Sequence, residues 1–145
     1  MKILFVCTGN TCRSPMAMGI FKRMLENHGI KEISCDSAGI SGITGEPASH
    51  NAIKACKEWD IDLSNHKAKS LFDIDLKSID LFVVMTFTHY DILKGLGGVS
   101  SDKIYVLGSS IKDPYGGDVE VYKQCRDSIN SALKDLFKEI VEKNA

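Results

Sequence analysis

The feature that most constrains the fold is a short apolar segment that leads directly into a glycine-containing loop and a helix start. Residues 3–6 are apolar without alternation, which is typical of a strand covered on both faces. Residues 7–14 read Cys-Thr-Gly-Asn-Thr-Cys-Arg-Ser, and Ser14-Pro15 combines a favoured N-cap with a residue suited to the first helical turn. The N-terminal segment therefore predicts a buried strand, a loop and a helix, in that order.

The rest of the chain continues to alternate between strand-like and helix-like segments. Further strands are predicted at residues 32–36, 80–86 and 103–107. Helices are predicted at about 14–28, 47–59, 89–96 and 119–142. The inward stripe predicted for the last helix comprises Val121, Cys125, Ile129, Leu133, Leu136, Phe137 and Ile140. A long loop with three glycines follows the second strand, at Gly39, Gly42 and Gly45.

This alternation predicts a single α/β domain over residues 1–145. We expect a four-stranded, twisted parallel sheet with helices on both faces, joined by right-handed crossovers. The loop at 7–14 then follows strand 1 at its carboxyl end, which is where open α/β sheets bind ligands.

Charge and composition exclude several classes of partner. The net charge of -1 provides no basic field for nucleic acid or an anionic membrane. No apolar run approaches the ~20 residues of a membrane span, and the run at 3–6 is shorter than the roughly 7–15 residues of a secretory signal. Five dispersed cysteines argue against a disulfide framework, and none has zinc-site spacing. We expect a cytoplasmic monomer without metal or cofactor.

The loop after the first strand has the composition of an oxyanion site. Gly9 and Asn10 tolerate positive φ, so the chain can curl and direct successive amides toward an anion. Arg13, separated from Cys7 by five residues, can present two N–H groups to a phosphoryl group. A helix N-terminus and a guanidinium also stabilise a thiolate, which makes Cys7 a candidate nucleophile. The alternative is a plain strand-to-helix turn with a buried cysteine, because Cys-x5-Arg alone arises often by chance.

Residues 6–17, Val-Cys-Thr-Gly-Asn-Thr-Cys-Arg-Ser-Pro-Met-Ala, resemble the signature of the low-molecular-weight protein tyrosine phosphatases. The resemblance continues at residues 36–39, 65–68 and 113–117 and covers nearly the whole chain. One departure is Met18, where the family usually has an acidic residue. Because that position lies on the opening helix, we expect little effect on the chemistry.

The resemblance implies a phosphatase that acts on phosphorylated proteins through a phosphocysteine, with Cys7, Arg13 and Asp113 as catalytic residues. Asp113-Pro114 taken alone is more simply a surface turn, but the reaction needs a general acid opposite the nucleophile. The implied phosphate-binding residues are Thr8, Gly9, Asn10, Thr11, Cys12, Arg13 and Ser14. Ser37 and His66 are implied supports of the loop. The family also implies a reversible disulfide between Cys7 and Cys12 under peroxide.

The identity of the phosphorylated residue is open between two alternatives. We expect Thr11, Ile43 and Tyr115 to line the substrate pocket: Tyr115, beside the acid, could stack on a tyrosine ring, and Ile43 is the bulky apolar residue of the loop after the second strand. Thr11 instead resembles a bacterial branch that acts on phosphoarginine, where a small polar side chain leaves room for a guanidinium. Asp118 could contact that cation, although an acid that begins a helix explains it more simply.

Two other functions share parts of this pattern. A thiol-dependent arsenate reductase would need further cysteines near the third strand, and residues 76–110 contain none. A non-catalytic phosphate-binding module would not need Asp113. Both are weaker interpretations than a phosphatase.

Overall fold

The structure of the chain is a computed structural model that describes residues 1–143. Its four strands are β1 (Lys2–Cys7), β2 (Ser34–Gly39), β3 (Leu81–Val84) and β4 (Ile104–Val106). Its four α-helices are α1 (Arg13–Asn27), α2 (His50–Lys57), α3 (Phe87–Gly95) and α4 (Val119–Lys143). The strands form one sheet in the order β2-β1-β3-β4, and every pairing is parallel. The predicted α/β fold is therefore confirmed.

Strand β1 lies in the middle of the sheet and carries side chains into a hydrophobic core on each face. Ile3 and Phe5 belong to a cluster that includes residues of α1, α2 and α4. Leu4 and Val6 belong to a second cluster that includes Leu93 of α3. Because both faces are buried, the uninterrupted apolar run at 3–6 is explained, and the carboxyl end of β1 is held rigidly.

The bounds of β2, α2 and α3 differ from the predicted ones. Strand β2 starts at residue 34 and continues to Gly39, which pairs with Cys7. Helix α2 begins at residue 50, since the Ser49 hydroxyl caps it by accepting from the Ala52 amide, whereas Pro47 lies in an isolated bridge. Helix α3 begins at residue 87, because the side chain of Thr86 caps it.

The inward stripe of α4 was predicted wrongly at its first position. Val121 is 40% exposed, and Tyr122 is buried in its place. Burial of Tyr122 brings its hydroxyl to the Cys12 thiol, so the aromatic ring fills the core while its polar end has a partner. Like the other helices within residues 1–143, α4 is not apolar enough over a sufficient length to cross a membrane.

Candidate active site

The phosphate loop, residues 7–14, runs from the last residue of β1 into the first turn of α1. Asn10 adopts a left-handed φ of 57°, and its amide donates to Cys7 Sγ at 3.3 Å. The hydroxyl of Ser14 lies 2.8 Å from the same sulfur and can donate to it when the sulfur is a thiolate. The Cys7 side chain is buried at the base of the loop. These two donors stabilise an anionic sulfur.

Arg13 and Asp113 meet across the loop. The Arg13 guanidinium is buried, donates to the Ile111 carbonyl at 3.0 Å, and places its other terminal nitrogen 3.7 Å from Asp113 Oδ2. The Asp113 side chain is 53% exposed, and its Oδ1 accepts from the Tyr115 amide at 3.0 Å. The acid loop, residues 111–117, is thus tied to the phosphate loop through one arginine.

A cavity of about 300 Å³ lies between the two loops. It is lined by Cys7, Thr8, Gly9, Thr11, Cys12, Arg13, Asp113 and Tyr115. The predicted nucleophile, phosphate-binding guanidinium and acid therefore share one cavity. Tyr115 is 84% exposed at its rim. Ile43, which was predicted to line the substrate pocket, does not line this cavity and is 65% exposed.

Asn10 is the centre of the hydrogen bonds that hold the loop. Its Nδ2 donates to Ser14 Oγ at 2.8 Å and to Ser37 Oγ at 2.9 Å. Its Oδ1 accepts from the Lys69 amide at 2.9 Å, and its carbonyl accepts from His66 Nε2 at 2.7 Å. Burial lowers the pKa of His66, so at neutral pH the ring is uncharged with its proton on Nε2. The structure thus brings Ser37 and His66, the residues predicted to support the loop, together with Asn10 and Ser14.

Sequence reasoning missed two contacts of the phosphate loop. The Thr8 hydroxyl lies 2.9 Å from Nε2 of His89, which is buried at the start of α3. The Cys12 thiol lies 3.4 Å from the Tyr122 hydroxyl, and burial raises the pKa of Tyr122 to about 12. His89 and Tyr122 are distant from the loop in sequence, and no spacing rule connects them to it.

Asp118, considered as a contact for a guanidinium substrate, caps the start of α4 instead. Its Oδ1 accepts from the Val121 amide at 3.1 Å, and its carbonyl accepts from the Tyr122 amide. This is the role that a short acidic side chain usually has at a helix N-terminus.

Comparison with known proteins gives the same family throughout. The family described as "Low molecular weight phosphotyrosine protein phosphatase" matches residues 2–145. The chain is 39% identical over 147 residues to a protein-arginine-phosphatase of Bacillus subtilis (strain 168), with 97% of each chain covered. The low molecular weight protein tyrosine phosphatase from T. tengcongensis has a TM-score of 0.89 at 40% identity, over 96% of this chain and 99% of that one.

A third relative is the YwlE arginine phosphatase, solved as a C7S mutant with a phosphorylated active-site serine. It has a TM-score of 0.90 at 35% identity, over 97% of this chain and 95% of that one. With the cavity that joins Cys7, Arg13 and Asp113, these matches identify the family: the chain belongs to the low molecular weight phosphotyrosine protein phosphatases.

Proposed function

We propose that this chain hydrolyses phosphotyrosine on proteins through a phosphocysteine formed on Cys7. The observation that carries the proposal is the single cavity lined by Cys7, Arg13 and Asp113. Nucleophile, oxyanion-binding group and general acid must all reach one phosphorus atom, and here they border one space of about 300 Å³.

In the first step, the Cys7 thiolate attacks phosphorus in line with the tyrosine oxygen. The sulfur–phosphorus bond forms as the phosphorus–oxygen bond breaks, and protonated Asp113 gives its proton to the departing oxygen. Arg13 and the loop amides hold the three equatorial oxygens, where charge accumulates in the transition state. Arg13 exchanges its partner in this step, since its terminal nitrogen faces Asp113 at 3.7 Å when no substrate is bound.

In the second step, water replaces the thiolate on phosphorus. Asp113, now a carboxylate, accepts a proton from the water as the sulfur–phosphorus bond breaks. Inorganic phosphate and the Cys7 thiolate are the products. The Ser14 hydroxyl and the Asn10 amide stabilise the departing sulfur, because both already contact it in the free enzyme.

The test is Cys7→Ser, assayed with para-nitrophenyl phosphate in the presence of EDTA. We expect turnover to disappear while vanadate binding persists, since Arg13 and the loop amides remain. The matched control is Cys35→Ser on β2, because Cys35 lies outside the cavity and burial raises its pKa to about 12. Turnover that survives in Cys7→Ser would remove Cys7 as the nucleophile.

A second candidate substrate is phosphoarginine, and Thr11 is the observation that favours it. Thr11 lines the cavity, while the aromatic surface that a tyrosine ring would use is limited to the exposed Tyr115 at the rim. A protein-arginine-phosphatase is also among the relatives. The same residues would act on a phosphorus–nitrogen bond, with Asp113 protonating the departing guanidinium nitrogen.

Thr11→Ile decides between the two substrates. We expect the ratio of kcat/KM for a phosphotyrosine peptide to that for a phosphoarginine peptide to rise, since an aliphatic side chain favours the aryl ring. The control is Thr88→Ile, an exposed position on α3 outside the cavity. An unchanged ratio in Thr11→Ile would show that Thr11 does not select the substrate.

The proposal extends to redox protection by Cys12, which lines the same cavity as Cys7. Peroxide converts the Cys7 thiolate to a sulfenic acid and releases hydroxide. The Cys12 thiolate then displaces hydroxide from that sulfur, and a disulfide results. We expect intact-mass analysis after peroxide to show the loss of two hydrogens, reversed by dithiothreitol. Irreversible addition of oxygen to Cys7 without a disulfide would contradict this step.

We also place the enzyme in the cytoplasm as a monomer. All five cysteines are free, which suits a reducing compartment. Light scattering during size-exclusion chromatography should give the mass of one 16.0 kDa chain. A dimer mass would contradict the monomer.

A further inference from the structure

His89 is a buried imidazole against the phosphate loop that the mechanism above does not use. It is 4% exposed, and its backbone amide donates to the Thr86 hydroxyl that caps α3. Its Nε2 lies 2.9 Å from Thr8 Oγ1. Its Nδ1 is buried without a hydrogen-bond partner among residues 1–143. A polar ring held this way, with one nitrogen left unpaired, suggests a role for the other nitrogen.

The surroundings of His89 determine its protonation. Burial and the positive charge of Arg13 lower the pKa of His89 to about 4, and the carboxylate of Asp113 opposes them only partly. The ring is therefore neutral at pH 7 and carries one proton. Buried N–H groups without an acceptor are rarer than buried acceptors without a donor. The proton therefore belongs on Nε2, where it can be donated to Thr8, and the lone pair belongs on the unpaired Nδ1.

This tautomer fixes the direction of the Thr8 hydroxyl. A threonine hydroxyl has one proton to donate and two lone pairs. If His89 donates to Thr8 Oγ1, the proton of Thr8 is not used by that contact and is free for another acceptor. Thr8 lines the cavity together with Cys7 and Arg13. In the opposite tautomer, Thr8 would donate to His89 and would present only lone pairs to an anion.

We propose that the Thr8 hydroxyl donates a hydrogen bond to the phosphoryl group bound in this cavity, and that His89 is the positioning residue that aims it. The inference rests on the proposed function, because the phosphoryl group is the acceptor. Thr8 then contacts the substrate through its side chain as well as its backbone, and His89 acts through Thr8 alone. The Thr8 O–H, held in one direction, adds a hydrogen bond to the electrostatic stabilisation that Arg13 gives the phosphoryl group, and it adds no net charge.

The first test uses the wild-type enzyme. Nitrogen-15 NMR of the histidine rings, with inorganic phosphate bound, reports which ring nitrogen of His89 carries the proton. We expect Nε2 to be protonated and Nδ1 to be bare at pH 7. A proton on Nδ1 would overturn the proposal, because Thr8 would then have to donate to the ring.

The second test compares paired variants of each residue. Thr8→Val removes the hydroxyl and should weaken inorganic phosphate binding about tenfold, the size expected for one hydrogen bond to a charged group, whereas Thr8→Ser should restore it. His89→Leu should weaken phosphate binding in the same direction, and His89→Gln should rescue it through its amide N–H. The double variant Thr8→Val with His89→Leu should bind phosphate no more weakly than Thr8→Val.

Phosphate affinity separates this role from a structural one. A folded His89→Leu variant with wild-type phosphate affinity would overturn the proposal, as would fully additive losses in the double variant. If His89→Leu does not fold, failure of Thr8→Ser to restore phosphate affinity would overturn it instead. Neither readout requires turnover, so these results remain distinct from a failure of Cys7→Ser to abolish catalysis.

Discussion

Gly39 offers a direct test of how tightly the sheet fixes the phosphate loop. It is the last residue of β2 and pairs with Cys7. A Cβ at this position would lie 2.8 Å from the Thr8 carbonyl oxygen, 2.9 Å from the Asn10 nitrogen and 2.9 Å from the Gly9 carbonyl carbon. All three atoms belong to the backbone of the phosphate loop. Gly39→Ala therefore cannot be accommodated by a side-chain rotation.

The size of the effect follows from these distances. Ordinary contacts to a Cβ begin at 3.4 Å, so the loop must move by about 0.6 Å away from β2. Catalytic groups must be held within about 0.5 Å of their productive positions, and a displacement of about 1 Å costs roughly 100-fold in rate. We expect kcat/KM to fall by about 10- to 100-fold. Overpacking should also lower the free energy of unfolding by about 1–3 kcal/mol.

The assay is kcat/KM for para-nitrophenyl phosphate, with urea unfolding of the same samples. Gly95→Ala is the matched control, since nothing lies within 4 Å of its Cβ and its φ is not positive. Because Gly95 is the last residue of α3, alanine there should leave turnover unchanged and raise the free energy of unfolding by up to about 1 kcal/mol. Wild-type values of both quantities in Gly39→Ala would show that β2 does not constrain the loop.

Three further predictions test the site around this loop. Ser37→Ala leaves one N–H of the buried Asn10 amide without its acceptor at 2.9 Å, and urea unfolding should show a loss of about 1–3 kcal/mol. Asp113→Asn should lower kcat by about 10²–10⁴ for phosphotyrosine peptides and by less for para-nitrophenyl phosphate, whose leaving group needs little protonation; equal losses would contradict the role as acid. The pKa of His89 is about 4 when folded and 6.5 when unfolded, so its stabilising contribution is present above pH 6.5 and is lost as the pH falls toward 4. Between pH 7 and 5, urea unfolding should therefore show wild type losing about 2 kcal/mol more than His89→Gln.

The fold and the residues that line the candidate site could be predicted from local patterns and from the family resemblance. The apolar run at 3–6 indicates a strand buried on both faces. The predicted N-cap was wrong: α1 begins at Arg13 after Cys12, and the Ser14 hydroxyl contacts the Cys7 sulfur instead of capping the helix. Cys7, Arg13 and Asp113 were found through the chemistry that the reaction needs and the family resemblance. Ile43 was misplaced, because a side chain in an irregular loop has no periodicity from which to infer its direction.

The contacts of His89 and Tyr122 could not be predicted, since they arise only when the sheet is assembled. Thr8 and His89 are 81 positions apart, and Cys12 and Tyr122 are 110 apart. Strands β1 and β3 must pair in register before the start of α3 reaches the phosphate loop. A histidine in a helical segment and a tyrosine in an amphipathic helix each have ordinary interpretations, and only the three-dimensional contact distinguishes them.

His66 and His89, which both contact the phosphate loop, are neutral at physiological pH, and their neutrality affects the release of the phosphate product. Burial lowers the pKa of His66 and of His89, so Arg13 is the cation that lines the cavity. A charged imidazole would bind the phosphate product as strongly as it binds the transition state, and such uniform binding does not raise kcat. Neutral histidines instead fix the geometry of Asn10 and Thr8, and the phosphate affinity that they add is limited to about tenfold, through the Thr8 hydroxyl. Release of inorganic phosphate from a loop rich in hydrogen-bond donors is therefore compatible with rapid turnover.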